Sequence, residues 1–210
     1  MSTNETAAPA ARTFTAATIL IALAAVSALA IWFMVAVPVL TGEKASAHTG
    51  HYTYVFVHAF GGTLMLFAGA LALYVGWTRR IFRFHRLIGA TYLISGAIGA
   101  GMGLYLSITG PHPLPGVGVA TGTLAIAWLA VAAMAWRAAI NRRFDSHRDW
   151  MIRSYVLTWT FVFCRIVMLH PASATAAPDT IVAIIWASWI TPLIACEIAL
   201  QWRAGAPSRQ

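Results

Sequence analysis

Six apolar stretches alternate with short polar links along this chain, and twelve of its fourteen lysines and arginines fall in alternate links. The stretches run Phe14 to Val39, Tyr54 to Trp77, Leu87 to Ile108, Val117 to Trp136, Trp150 to Leu169 and Thr180 to Leu200. Each is close to the ~20 residues a helix needs to cross about 30 Å of hydrocarbon. They lack the two-residue alternation of a barrel strand, and lipid offers no partner to an open sheet edge, so helices are the expected element. Arg12 precedes the first stretch. Arg79, Arg80, Arg83 and Arg86 follow the second, Arg137, Arg142, Arg143, Arg148 and Arg153 follow the fourth, and Arg203 and Arg209 follow the sixth. Only Lys44, beside Glu43, lies in the other links. Cytoplasmic loops carry the excess of Lys and Arg. The reading is an all-α, six-span membrane bundle with both termini cytoplasmic (N-in/C-in), and with links 40–53, 109–116 and 170–179 facing outward. A tail at 1–13, a membrane domain at 14–202 and a second tail at 203–210 follow.

A net charge of +8 also raises nucleic acid as a partner. The arginines are clustered at span ends, where they set topology and attract anionic lipid, so the bilayer is the partner and nucleic acid is excluded. Ala45-Ser46-Ala47 resembles a signal-peptidase site, but the apolar run before it exceeds a secretory h-region, and an uncleaved anchor is expected. Cys164 and Cys196 fall inside spans, and no disulfide is expected. Ser95, Gly99 and Gly103 in the third span, and Gly118 and Gly122 in the fourth, recur every four residues. Such rows let helix backbones approach closely in lipid, and they predict a tight hairpin between these two spans.

All seven histidines map near the membrane faces: His85 and His147 on the arginine side; His48, His51, His58, His112 and His170 on the other. Imidazole is the commonest haem and metal ligand, so histidines at matched depth on two helices form a minimal axial pair for haem b. His85 can pair with His147, and His58 with His170 or His112. Histidine is equally at home at an interface with no ligand at all. His48, His51 and His58, with His112 or His170, form a second, metal-like set for Cu or Zn.

Arg165 lies about 18 Å past Arg153, at a depth where insertion costs roughly 2.5–3.5 kcal/mol. It should face the bundle interior and bond carbonyls, hydroxyls or an anionic or carbonyl group of a cofactor such as haem or quinone. Glu197 is the acidic residue within a span, and its depth suits Arg148 or Arg153 better than Arg165.

The runs Phe84-His85-Arg86-Leu87-Ile88-Gly89-Ala90-Thr91-Tyr92 and His147-Arg148-Asp149-Trp150-Met151-Ile152-Arg153-Ser154-Tyr155, followed by Arg165, resemble a bacterial family of integral membrane proteins whose domain has no assigned function. The resemblance covers residues 54–170. It implies an inner-membrane location and a bundle distantly similar to cytochrome-b-like and ferric-reductase-like proteins, in which paired histidines bind haem. It marks His58, His85, His147 and Arg165. The fourth span has no histidine, so four ligands on four successive helices are not available.

Two functional readings follow. The first is a b-type haem-binding redox or electron-transfer subunit, with quinone or other membrane redox subunits as partners. The second is a non-redox membrane component: a small transporter, a metal-handling protein or an assembly partner. Hydrolysis is not expected, because no spacing joins a nucleophile, a histidine and a carboxylate.

Overall fold

The computed structural model describes residues 50–110, 114, 116–168 and 170–204, with seven isolated positions before residue 50. Within them the chain is helical and contains no strand. The helices are α1 (Tyr52–Thr78), α2 (His85–Thr109), α3 (Val117–Ile140), α4 (Phe144–Thr158), α5 (Thr160–Met168) and α6 (Pro178–Ala204). Short 3₁₀ turns at Phe82–Phe84 and Pro171–Thr175 complete the connections. With α4 and α5 taken as one span, five helices are long and apolar enough to cross a membrane. The first stretch expected from sequence, residues 14–39, lies outside the continuously described residues, as does its cleavage motif.

The helices overrun the apolar stretches at the arginine-rich end, so the links there are shorter than hydropathy suggests. Only residues 141–143 separate α3 from α4. The reversals use left-handed residues other than glycine: Arg79 at φ 56°, Ile81 at φ 49° and Arg142 at φ 56°. Such backbone costs about 1–3 kcal/mol and persists where the surroundings hold it. Guanidinium groups over aromatic rings help to do so, with Arg79 4.6 Å from the Phe82 centroid and Arg83 4.7 Å from that of Phe84.

Helices α1 to α4 pack as a ring of sequential neighbours that closes through α1 and α4, and α6 lies against α3, α4 and α5. The closest approach is between α1 and α2. A Cβ on Gly61 would stand 2.9 Å from the Ser95 carbonyl oxygen, and one on Gly99 would stand 3.2 Å from the Gly62 nitrogen. The row Ser95, Gly99, Gly103 therefore serves α1, not the α2–α3 hairpin expected from sequence. The reason is that α1 presents Gly61 and Gly62 at the same level. The expected tight hairpin is present through the other row, where a Cβ on Gly122 would meet Ser107 Oγ at 2.7 Å.

The fifth expected span is interrupted at Trp159, between α4 and α5. Thr158 Oγ1 donates to the Ser154 carbonyl at 2.9 Å and Thr160 Oγ1 to that of Leu157 at 2.6 Å. Hydroxyls that bond back into their own helix compete with its backbone ladder. Large apolar side chains cover the outside, among them Ile108 at 75% and Trp202 at 82% exposure. Surfaces of this kind suit lipid and not water.

Candidate functional site

At the centre of the bundle a buried hydrogen-bonded group joins three helices. The Tyr92 hydroxyl, on α2, donates to Ser154 Oγ at 2.9 Å and lies 3.1 Å from Thr158 Oγ1, both on α4. Trp128 Nε1–H, on α3, donates to Thr158 Oγ1 at 3.0 Å. Ser154 Oγ donates onward to the Met151 carbonyl at 2.9 Å. All four side chains are buried. The group is room-making as well: a Cβ on Gly96 would overlap the Trp128 ring. Every hydrogen of Ser154, Thr158 and Trp128 is spoken for, which makes this a bolt between helices. The sequence reading missed it. Ser154 and Thr158, one turn apart and facing a tyrosine on a parallel helix, were the available signal.

The bolt fixes the register of α2 against α4. These helices run in the same direction, and seven residues before Tyr92 and before Ser154 stand His85 and His147. Two helical turns are about 10 Å, so both imidazoles lie at one level toward the arginine-rich end. His147 Nδ1–H donates to the Ala135 carbonyl of α3 at 2.9 Å. A carbonyl only accepts, which fixes this nitrogen as the donor and leaves Nε2 with its lone pair. His85 is stacked on Phe82 with centroids 5.0 Å apart and planes 9° apart, and Gly76 makes room for it. Its Nδ1 is buried with no partner among the described residues, and it lies within electrostatic reach of His147 and Arg79. An unmet buried polar atom costs about 1–3 kcal/mol.

Toward the other end, His58 of α1 repeats the His147 device. Its Nδ1–H donates to the Gly99 carbonyl of α2 at 2.7 Å. Gly103 permits this, since a Cβ there would come within 2.9 Å of the ring. Phe161 meets the imidazole edge-on at 5.6 Å. Arg165, half-buried on α5, is close enough for its charge to act on His58. His58 lines a cavity of about 200 Å³ whose other walls are mostly apolar.

The remaining candidates are placed elsewhere. His170 is exposed and its Nδ1 accepts the Ala172 N–H at 3.3 Å, which caps the following 3₁₀ turn. His51 is the N-cap of α1, with its ring against Tyr54 at 6.3 Å. His48 and His112 lie outside the described residues. Among the described residues no group of three or more His, Cys, Asp or Glu gathers at metal-binding distance. Glu197 is bonded to Arg153, with Oε2 2.7 Å from Nη2, and Trp150 flanks that guanidinium at 4.8 Å. Cys164 and Cys196 are free thiols.

Apolar helices, a lipid-suited exterior and arginine at one end define a helical membrane protein. Residues 55–200 match the family described as "Predicted membrane protein (DUF2306)", and the chain belongs to that family. Both motif runs and the polar bolt lie within the matched region. No curated protein and no solved structure matches the chain.

Proposed function

We propose that this chain is a single-haem, b-type redox subunit of the bacterial inner membrane, with His85 and His147 as the axial pair. The observation that carries the reading is the pairing of these imidazoles at one level. One has its rear nitrogen anchored on the Ala135 carbonyl, as ligating histidines commonly do, and the other holds a buried nitrogen without a partner. When bound, haem would supply one-electron transfer. The chain's own work is orientation: Ala135 fixes the His147 tautomer, Phe82 sets the plane of His85, and the Tyr92 bolt keeps the two at equal depth.

The His58 end does not fit a second haem. One histidine faces a cavity of about 200 Å³, below the roughly 300–1,000 Å³ of pockets that enclose cofactor-sized ligands. Residues 14–39 complete six spans in this reading, N-in and C-in, with the arginine-rich end cytoplasmic. Quinone or a further redox subunit is the partner such a protein needs.

The test is the absorption spectrum of protein purified in detergent after expression with haem supplied. A Soret band lost in His85→Ala and in His147→Ala supports the reading, and its absence from the unaltered protein overturns it. A tag fused after Gln210 should be reached from the cytoplasm alone. The second reading, a non-redox component such as a small transporter, metal-handling protein or assembly partner, is favoured by the cavity at His58, which suits a small ligand. It gains if that cavity binds ligand in protein that takes up no haem.

A further inference from the structure

The cavity at the His58 end has an uneven hydrogen-bonding character. Its walls come from α1 to α5 and are mainly glycine, alanine, leucine, Met65 and Phe161. Four of its lining side chains bear hydrogen on nitrogen or oxygen, and each of those hydrogens is committed. His58 Nδ1–H is on the Gly99 carbonyl at 2.7 Å, Ser107 Oγ–H on that of Leu104 at 2.7 Å and Thr121 Oγ1–H on that of Val117 at 2.8 Å. Trp128 Nε1–H is on Thr158 Oγ1 at 3.0 Å. The lining therefore offers lone pairs and no donor. The strongest of these acceptors is His58 Nε2, which has no hydrogen-bond partner among the described residues. Neutral imidazole with its other nitrogen on a carbonyl is a good acceptor.

Size narrows the ligand further. An apolar cavity of about 150 Å³ takes up benzene. The present one, at about 200 Å³, holds one six-membered ring with small substituents. Such a ring is held against Phe161 and the Gly99–Gly103 backbone, in the half of the bundle away from the arginine-rich end.

We infer that this cavity binds the hydroxyl-bearing aromatic headgroup of a quinol or similar phenol, through a hydrogen bond donated to His58 Nε2. A corollary is redox-state selectivity. The oxidised quinone carries only acceptors, and it meets a wall with nothing to donate. The inference is independent of the haem reading, since the axial pair lies at the other end and binding is measured without a Soret band.

The experiment is isothermal titration calorimetry on the full chain in lipid nanodiscs, with empty nanodiscs as blank. The probes are trimethylhydroquinone, its decyl-tailed form, the matching quinones and the hydroquinone dimethyl ether. The expected result is saturable binding of the hydroquinone, with quinone and ether weaker by about fivefold, as one lost hydrogen bond implies. His58→Leu should weaken hydroquinone by a similar factor, and Ala125→Leu, which fills the cavity and leaves the imidazole in place, should abolish binding. Equal affinity for hydroquinone and its ether overturns the inference, and so does unchanged binding in both variants. The tail identifies the source while either result supports the site. Tighter binding of the decyl form indicates a membrane quinol, and equal binding of the tail-less form indicates a soluble phenol. The ether comparison uses the unaltered protein, so it stands even if a variant misfolds.

Discussion

At the arginine-rich end, His147 leans on the Ala135 carbonyl and has a second imidazole and the Arg79 guanidinium within reach. At the opposite end, His58 leans on the Gly99 carbonyl and has glycines, Phe161 and an apolar cavity around it. The anchoring of the ring is the same in both places, and the surroundings decide what the freed nitrogen can do. Beside another imidazole it is one of two candidate ligands of the proposed haem. Beside open apolar space it is a lone acceptor. Identical local hydrogen bonding thus supports two different proposals, and what separates them is the presence of a partner histidine at the same level.

The sharpest way to break this comparison is to remove one imidazole at a time. His85→Ala or His147→Ala should reduce haem content to background, while His58→Ala leaves it intact, as read from the Soret band per polypeptide. Loss of haem in His58→Ala alone would reverse the assignment of the two ends. Next in size is Gly61→Ala, which forces a methyl group against the Ser95 carbonyl oxygen and Gly99. Overpacking at a backbone contact costs about 1–3 kcal/mol. The thermal midpoint in detergent should fall, and hydroquinone binding should weaken more than haem content does, because α1 and α2 form the cavity wall.

Tyr92→Phe should cost about 1 kcal/mol, the net value of one buried hydrogen bond. A double-mutant cycle with Ser154→Ala should show coupling between the two, since they share that bond. If the single variant shifts the haem spectrum and leaves hydroquinone affinity unchanged, the bolt governs the axial pair more than the cavity. The smallest effect belongs to Glu197→Gln. Its partner Arg153 also rests on Trp150, and the carboxylate side chain is 43% exposed. Partly exposed pairs contribute little and are screened by salt. The melting temperature should move less than in any variant above, and less again at high salt.

Much of the fold was readable from hydropathy alone. Five of the six apolar stretches are helices of spanning length, and the sixth lies outside the described residues. Helix ends were not readable, because residues such as Phe144 to Asp149 are polar enough to leave an apolar window yet continue the helix. Of the two small-residue rows, Gly122 packs on the third span as expected, while Gly99 and Gly103 serve the second: spacing shows that a helix can be approached closely, not by which helix. Depth put His85 and His147 toward the same end, within electrostatic reach of each other, and placed Glu197 with Arg153. Depth alone did not show that the His170 ring caps a turn. The Tyr92 bolt escaped notice because serine and threonine in a span are usually satisfied within their own helix. Their second role appears only when the facing helix is known.

The seven-residue interval shared by α2 and α4 turns the stretch between bolt and imidazole into a ruler. Each residue advances a helix by about 100° of rotation and 1.5 Å of rise. One amino acid inserted between His85 and Tyr92 would swing its histidine more than a quarter-turn away from His147, whereas the same change within residues 141–143 would only lengthen the link between α3 and α4. Length variation along this chain should therefore be tolerated in its links and lethal to the pairing inside those two intervals.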